Sequence, residues 1–162
     1  MAYLLDANCF IESRNRYYSF DVCPGFWSGL EKHYNDGNIY SIERVRDEIV
    51  GLGDDLSAWA AARPTGFYLP LDQLTLTCVS TVVTWVQGRN CTSAGRAKFM
   101  GGADPFLIAC ALAHNHTVVT HEKSAPLATS KIKIPDVCRA FGVSCVEPLE
   151  MLRATGTRFV LE

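Results

Sequence analysis

Nowhere in this 162-residue chain is there an apolar run long enough to cross a bilayer. The longest strongly apolar stretches, such as PFLIACALA at 105–113, reach about half of the ~20 residues that a spanning helix needs. A basic leader is also missing: MAYLLDANCF meets an acid at its sixth position, so no secretory signal and a cytoplasmic location are expected. No CxxC pair occurs, and the seven cysteines are an odd number, which argues against a disulfide framework. Most of Cys9, Cys23, Cys78, Cys91, Cys110, Cys138 and Cys145 read as small buried hydrophobes. Internal repeats, low-complexity tracts and linkers are lacking too, so one domain over 1–162 is expected, with no membrane partner.

An excess of positive charge is likewise absent. The formal net charge of -2 argues against gripping nucleic acid by bulk electrostatics. Net charge misleads, however, when acids are concentrated in one pocket. Setting Asp6, Glu48, Asp104 and Glu122 aside leaves the remainder mildly basic, with Arg14, Arg16, Arg89, Arg96, Lys98, Lys123, Lys131 and Lys133 as a candidate rim. Scattered, solvated charges are the alternative reading of the same residues.

What is present is an alternation of short apolar strands and helices. YLLD at 3–6 reads as a strand ending in an acid, with Asn8 as the cap of a short helix CFIES. Pro24 opens a helix toward His33 that NDGN ends, and IYS is a second strand. From 42 to 52, Ile42, Val45, Ile49 and Leu52 make one apolar stripe. Asp54 and Asp55 cap LSAWAAAR, and residues 71–87 form a threonine-rich helix. A short helix follows the loop GRNCTSAG, then the helix ADPFLIACALAH and the strand TVVT. KIKIP reads as a short edge strand, PDVCRAFG as a helix, VSCV as a strand and PLEMLRATG as a final helix. The pattern predicts an α/β fold of three layers, α/β/α, around a parallel sheet of about four to five short strands. Such sheets bind ligands outside the carboxyl ends of their strands.

That rule singles out the acids. Asp6 and Glu122 each follow a short apolar run and emerge at one sheet edge if their strands are parallel neighbours, although an acid there can equally cap the next helix. Around the 42–52 helix, Glu43 and Asp47 lie opposite the apolar stripe while Glu48 lies on its flank beside Val45 and Leu52. A carboxylate so placed must meet a cation or an arginine. Asp104 before Pro105 has the form of an N-cap followed by proline at the first helical position, and can also present an outer oxygen to a metal. Cys110, His114, His116 and His121 have a spacing that could suit zinc, against the plainer reading of a helix end and turn.

These residues together bring out a resemblance. The opening YLLDANCFIES, the segment SIERVRDEIVG and the block ADPFLIACALAHNHTVVTHEKS resemble the PIN-domain ribonucleases, the superfamily that includes VapC-type toxins. The run from VVTHE through KIKIPDVCRAFGV to EMLR is similar to one uncharacterised prokaryotic PIN-like subfamily. The resemblance covers most of the chain and is weakest over 55–95. It implies that Asp6, Glu48, Asp104 and Glu122 hold Mg²⁺ or Mn²⁺ and are catalytic. It implies that Asn8 and Thr120 orient them, and that single-stranded RNA is hydrolysed. Arg96 and Lys123 are candidate phosphate contacts, and an antitoxin protein and a homodimer are implied partners. Glu122 departs from the aspartate common at that position. A phosphatase with an aspartyl nucleophile would need an acid two residues after Asp6, where Asn8 stands. A PIN-like binding or regulatory module without catalysis remains the rival of another class.

Overall fold

The computed structural model describes residues 1–160. Strand β1 (Tyr3–Leu5) leads into α1 (Ala7–Glu12), which continues as one π-helical turn, Ser13–Tyr17. Next come α2 (Pro24–Asn35), β2 (Ile39–Ile42), α3 (Glu43–Val50) and α4 (Asp55–Ala61). A 3-10 turn (Thr65–Phe67) precedes β3 (Tyr68–Leu69), α5 (Gln73–Gln87) and α6 (Ser93–Gly101). The chain then forms α7 (Asp104–His114), β4 (Thr117–Val119), α8 (Ile134–Ala140), β5 (Cys145–Val146) and α9 (Pro148–Ala154).

All strand pairs are parallel, in the order β3-β2-β1-β4-β5. Successive strand residues face opposite sides of a sheet, and both Val118 and Val119 are fully buried. Helices therefore cover both faces, as the parallel pattern requires. The central strand β1 pairs Tyr3, Leu4 and Leu5 with Thr117, Val118 and Val119 of β4. On its other side Tyr3 and Leu4 pair with Ile39 and Tyr40. Leu4, Ile39, Ile49, Leu107, Ile108 and Ile134 are among the fully buried residues of the core.

Several elements differ from the sequence reading. KIKIP is not a strand: residues 131–133 are irregular and α8 begins at Ile134, with Pro135 in its first turn. Pro135 has a preset φ for a helical first turn and no N–H for a ladder. The Ile134 N–H is taken by the Glu122 carboxylate at 2.9 Å. Helix α3 ends at Val50, so Leu52 falls past it, in the turn after Gly51, and is exposed. Asp6, not Asn8, occupies the N-cap of α1, and Asn8 is the second helical residue. Ala103 occupies the N-cap of α7, so Asp104 and Pro105 are its first two residues. The two-residue edge strand β3, just before Pro70, is an addition.

Candidate active site

From β1 the chain moves to β2 and β3 on one side of the sheet, and from β4 to β5 on the other. The carboxyl ends of β1 and β4 therefore form the topological switch point, the position at which open parallel sheets leave a crevice. Asp6 follows β1 directly, and Thr120 follows β4. The two strands are locked at this point because the Asp6 N–H donates to the Val119 carbonyl at 3.0 Å. Across the same junction the Thr120 hydroxyl donates to Asp6 Oδ2 at 2.9 Å. Thr120 Oγ1 also accepts the Glu122 N–H at 3.1 Å. One hydroxyl thus ties both acids to the strand end.

Asp6 is 1% exposed. Burial pushes its carboxyl from 3.8 up to about 6; the Thr120 hydrogen bond opposes this, while the charges of Glu122 and Glu48 add to it. Asp104 sits on the first turn of α7 and is pushed further, from 3.8 to about 8. Burial is again the main cause, followed by the charges of Asp6, Glu122 and Glu48, with Lys133 acting the other way. Asp6 and Asp104 thus each feel neighbouring carboxylates, and the Asp104 carboxylate has no hydrogen-bond partner among the described residues. A group of carboxylates short of positive charge, at a strand-end crevice, is the electrostatic form of a cation or catalytic site.

Glu48 and Glu122 are held by backbone. Glu48, on the exposed flank of α3, turns its Oε1 onto the Ala103 N–H at 2.7 Å, binding the start of α7 to α3. The arginine pairing considered for it does not occur among the described residues. Glu122 spans a different junction. Its Oε1 meets Lys133 Nζ at 2.6 Å and its Oε2 accepts the Ile134 N–H at 2.9 Å. Both of its oxygens are therefore engaged, and it closes the loop from β4 to the start of α8.

Among the described residues, no three His, Cys, Asp or Glu side chains stand close enough together to hold a metal ion. The oxygen-only donor set and its unmet negative charge fit a hard divalent cation, with ligation requiring the side chains to close in. The zinc alternative does not assemble. Cys110 is buried, His114 pairs with Asp72 at 3.0 Å, and His116 Nδ1 accepts the Ala2 N–H. His121 instead stacks on Tyr17.

Beside Glu122 opens a cleft of about 640 Å³, bordered by Asn8, Tyr17, His121, Lys131, Lys133 and their neighbours. Asn8 lines it, with no side-chain hydrogen bond to the acids among the described residues. Lys123 lines it as well and is ion-paired with Glu147. Arg96 is not at this rim: its guanidinium donates to the carbonyls of Arg89 and Cys91. Arg14 pairs with Asp54 and Asp55, and Arg89 reaches the Pro126 carbonyl, so both are used structurally. Of the basic rim read from the sequence, Arg16, Lys123, Lys131 and Lys133 do border the cleft, whereas sequence reasoning missed Glu12, Tyr17 and His121 as cleft residues. The spacing of Asn8, Glu12 and Arg16 by four was a usable signal for one helical face.

The five-stranded all-parallel sheet with helices on both faces matches the PIN-like fold. Solved structures similar to it include VapBC2 from Rickettsia felis bound to a DNA fragment from their promoter, at a TM-score of 0.56 and 14% identity, covering 91% of this chain and 98% of that one. FitAcB from Neisseria gonorrhoeae is similar at a TM-score of 0.52 and 16% identity, with the same coverage of 91% and 98%. At these identities the likeness concerns the fold. The chain belongs to the family described as "Domain of unknown function (DUF4411)", whose model matches residues 3–159. A comparison with curated proteins finds no match. No helix among the described residues is long and apolar enough to cross a membrane.

Proposed function

We propose that this protein is a metal-dependent ribonuclease that hydrolyses phosphodiester bonds of single-stranded RNA, and that it is the toxin of a toxin–antitoxin pair. The observation that carries the reading is the pair of recessed carboxyls at the switch point, Asp6 and Asp104, pushed up to about 6 and about 8 by burial and by neighbouring carboxylates. The cationic partner that this arrangement calls for is Mg²⁺ or Mn²⁺, held by Asp6 and Asp104 with Glu48 beside them. When bound, the ion supplies positive charge against the phosphodiester and makes a water more acidic.

The chain's own residues do the positioning. Thr120 fixes the Asp6 carboxyl through Oδ2. Glu48, through the Ala103 N–H, sets the first turn of α7 and so the place of Asp104. Glu122 adds negative charge and anchors Lys133 at the mouth, as a water anchor more than a direct ligand. No side-chain nucleophile is needed, because the attacking group is water. The fold likeness to VapBC2 and FitAcB, PIN-domain toxins seen with their antitoxins, supports an antitoxin partner.

The test is cleavage of a mixed-sequence single-stranded RNA with Mn²⁺ or Mg²⁺ against EDTA, with Asp6→Asn and Asp104→Asn as controls. Metal-dependent cutting lost in both variants is the expected result. One observation favours the rival reading of a non-catalytic PIN-like module: no three ligands yet stand within reach of one ion. No cutting together with no metal binding by calorimetry would establish that module instead.

A further inference from the structure

The cleft beside Glu122 holds features that the carboxylates do not account for. Tyr17 is 57% exposed at its border. Its ring lies nearly parallel to the His121 imidazole, with centroids 5.5 Å apart and planes at 21°. Tyr18 supports it from the side at 6.3 Å and 47°. Tyr17 is thus braced on the protein side while much of the ring stays open to solvent.

The placement of Tyr17 comes from the backbone. Residues Ser13–Tyr17 form a π-helical turn, closed by the Tyr18 N–H donating to the Ser13 carbonyl at 2.6 Å. A π turn adds one residue to the helical repeat and recurs at functional sites. Here the wider turn lets both Arg16 and Tyr17 border the cleft that Asn8 and Glu12 already line. The charges around the ring are graded. Arg16 is paired with Glu12, Lys123 with Glu147 and Lys133 with Glu122. Lys131 is exposed, borders the same cleft and has no ion pair among the described residues.

An exposed, braced aromatic face bordering the same cleft as an uncommitted ammonium is the minimal equipment for one unpaired nucleotide: the base stacks on the ring and its phosphate meets the cation. We infer that Tyr17, backed by His121, is a base-stacking platform that, with Lys131 as its phosphate contact, holds a single-stranded nucleotide flanking the bond to be cut. This inference rests on the nuclease reading of the carboxylate site. It assigns the substrate's path to the side of the site where Glu122 and Lys133 stand and away from Arg96. Stacking tolerates any base, so the platform contributes affinity for unpaired strand and little sequence preference.

The experiment is fluorescence anisotropy of a labelled eight-nucleotide single-stranded RNA on the full chain in Ca²⁺, with cleavage in Mn²⁺ followed in parallel. Tyr17→Ala is expected to weaken binding by about tenfold to a hundredfold, and Tyr17→Phe to leave it within about twofold. Lys131→Ala is expected to weaken binding of all sequences alike and to lower the slope of log affinity against log salt by about one. Replacing successive nucleotides by abasic ones should find one position at which the parent loses as much affinity as Tyr17→Ala does, and at which the variant loses no more. If the parent binds and cuts RNA while Tyr17→Ala does so equally well, the platform is wrong and the nuclease reading stands. If the parent neither binds nor cuts, both fall together.

Discussion

Replacing Asp6 by asparagine should make the metal-free protein more stable at neutral and alkaline pH while ending the metal-dependent cleavage proposed for it. The Asp6 carboxyl ionises near 3.8 in an unfolded chain and near 6 in the folded one. A folded value above the unfolded one means that the folded state holds its proton more tightly. Its contribution is therefore most favourable below 3.8 and is lost as pH rises through about 6. Above both values, ionised Asp6 costs about 3 kcal/mol relative to an ordinary carboxylate. Asparagine removes the charge, keeps an oxygen for the Thr120 hydroxyl and nearly conserves volume. Allowing for the weaker hydrogen bond to a neutral acceptor, Asp6→Asn should gain about 1–3 kcal/mol at pH 8, or about 2–10 °C in Tm for a domain of this size. At pH 4 most of that gain should be gone. Urea and thermal unfolding in EDTA at pH 4 and pH 8 measure it directly. A variant destabilised by the same amount at both pH values would refute the reasoning, because the Asp6 charge would then carry no folding penalty.

The same electrostatics predict that Mn²⁺ raises Tm more at pH 8 than at pH 5, because at pH 5 carboxyls titrating near 6 and 8 are mostly protonated. Differential scanning fluorimetry with and without metal tests this, and an equal shift at both pH values would speak against binding at Asp6 and Asp104. Thr120→Val deletes the donor to Asp6 and the acceptor for the Glu122 N–H, and should cost about 1–3 kcal/mol in urea unfolding while driving the Asp6 carboxyl higher still. Glu48→Gln preserves an acceptor for the Ala103 N–H, so it should stay within about 1 kcal/mol of the parent in stability yet cut RNA much more slowly. Glu43→Gln, on the opposite flank of α3, should leave both stability and cleavage unchanged.

The placement of several candidate residues could be read from residue order alone, because a parallel sheet converts position into proximity. An acid closing the apolar run Leu4–Leu5 and a threonine closing Val118–Val119 had to share an edge once β1 and β4 were neighbours. Asp104 was legible for the same reason, since an apolar helix delivering β4 starts at the carboxyl edge. The errors arose where local pattern and tertiary partner disagreed. The alternation Lys131-Ile132-Lys133-Ile134 imitates a strand, but the Glu122 carboxylate captures the Ile134 N–H and Pro135 turns the chain into a helix. Leu52 continues the apolar stripe on paper, but α3 stops two residues earlier. Arg96 looked like a phosphate ligand by its charge, and only the loop carbonyls of Arg89 and Cys91 explain where its guanidinium goes. The π turn that brings Tyr17 to the cleft has no sequence signature comparable to a cap or a glycine.

The Thr120–Asp6 bond joins residues 114 positions apart. During synthesis at about 5–20 residues per second, Asp6 therefore leaves the ribosome roughly 5–25 s before Thr120 can meet it. Over that interval β1 lacks β4 on one side, and Asp104 has not yet been carried to the crevice. A nascent or prematurely terminated polypeptide ending before β4 holds Asp6 and Glu48 without the strand that aligns them. The carboxylate edge is therefore assembled only after the strand that follows α7 has been made.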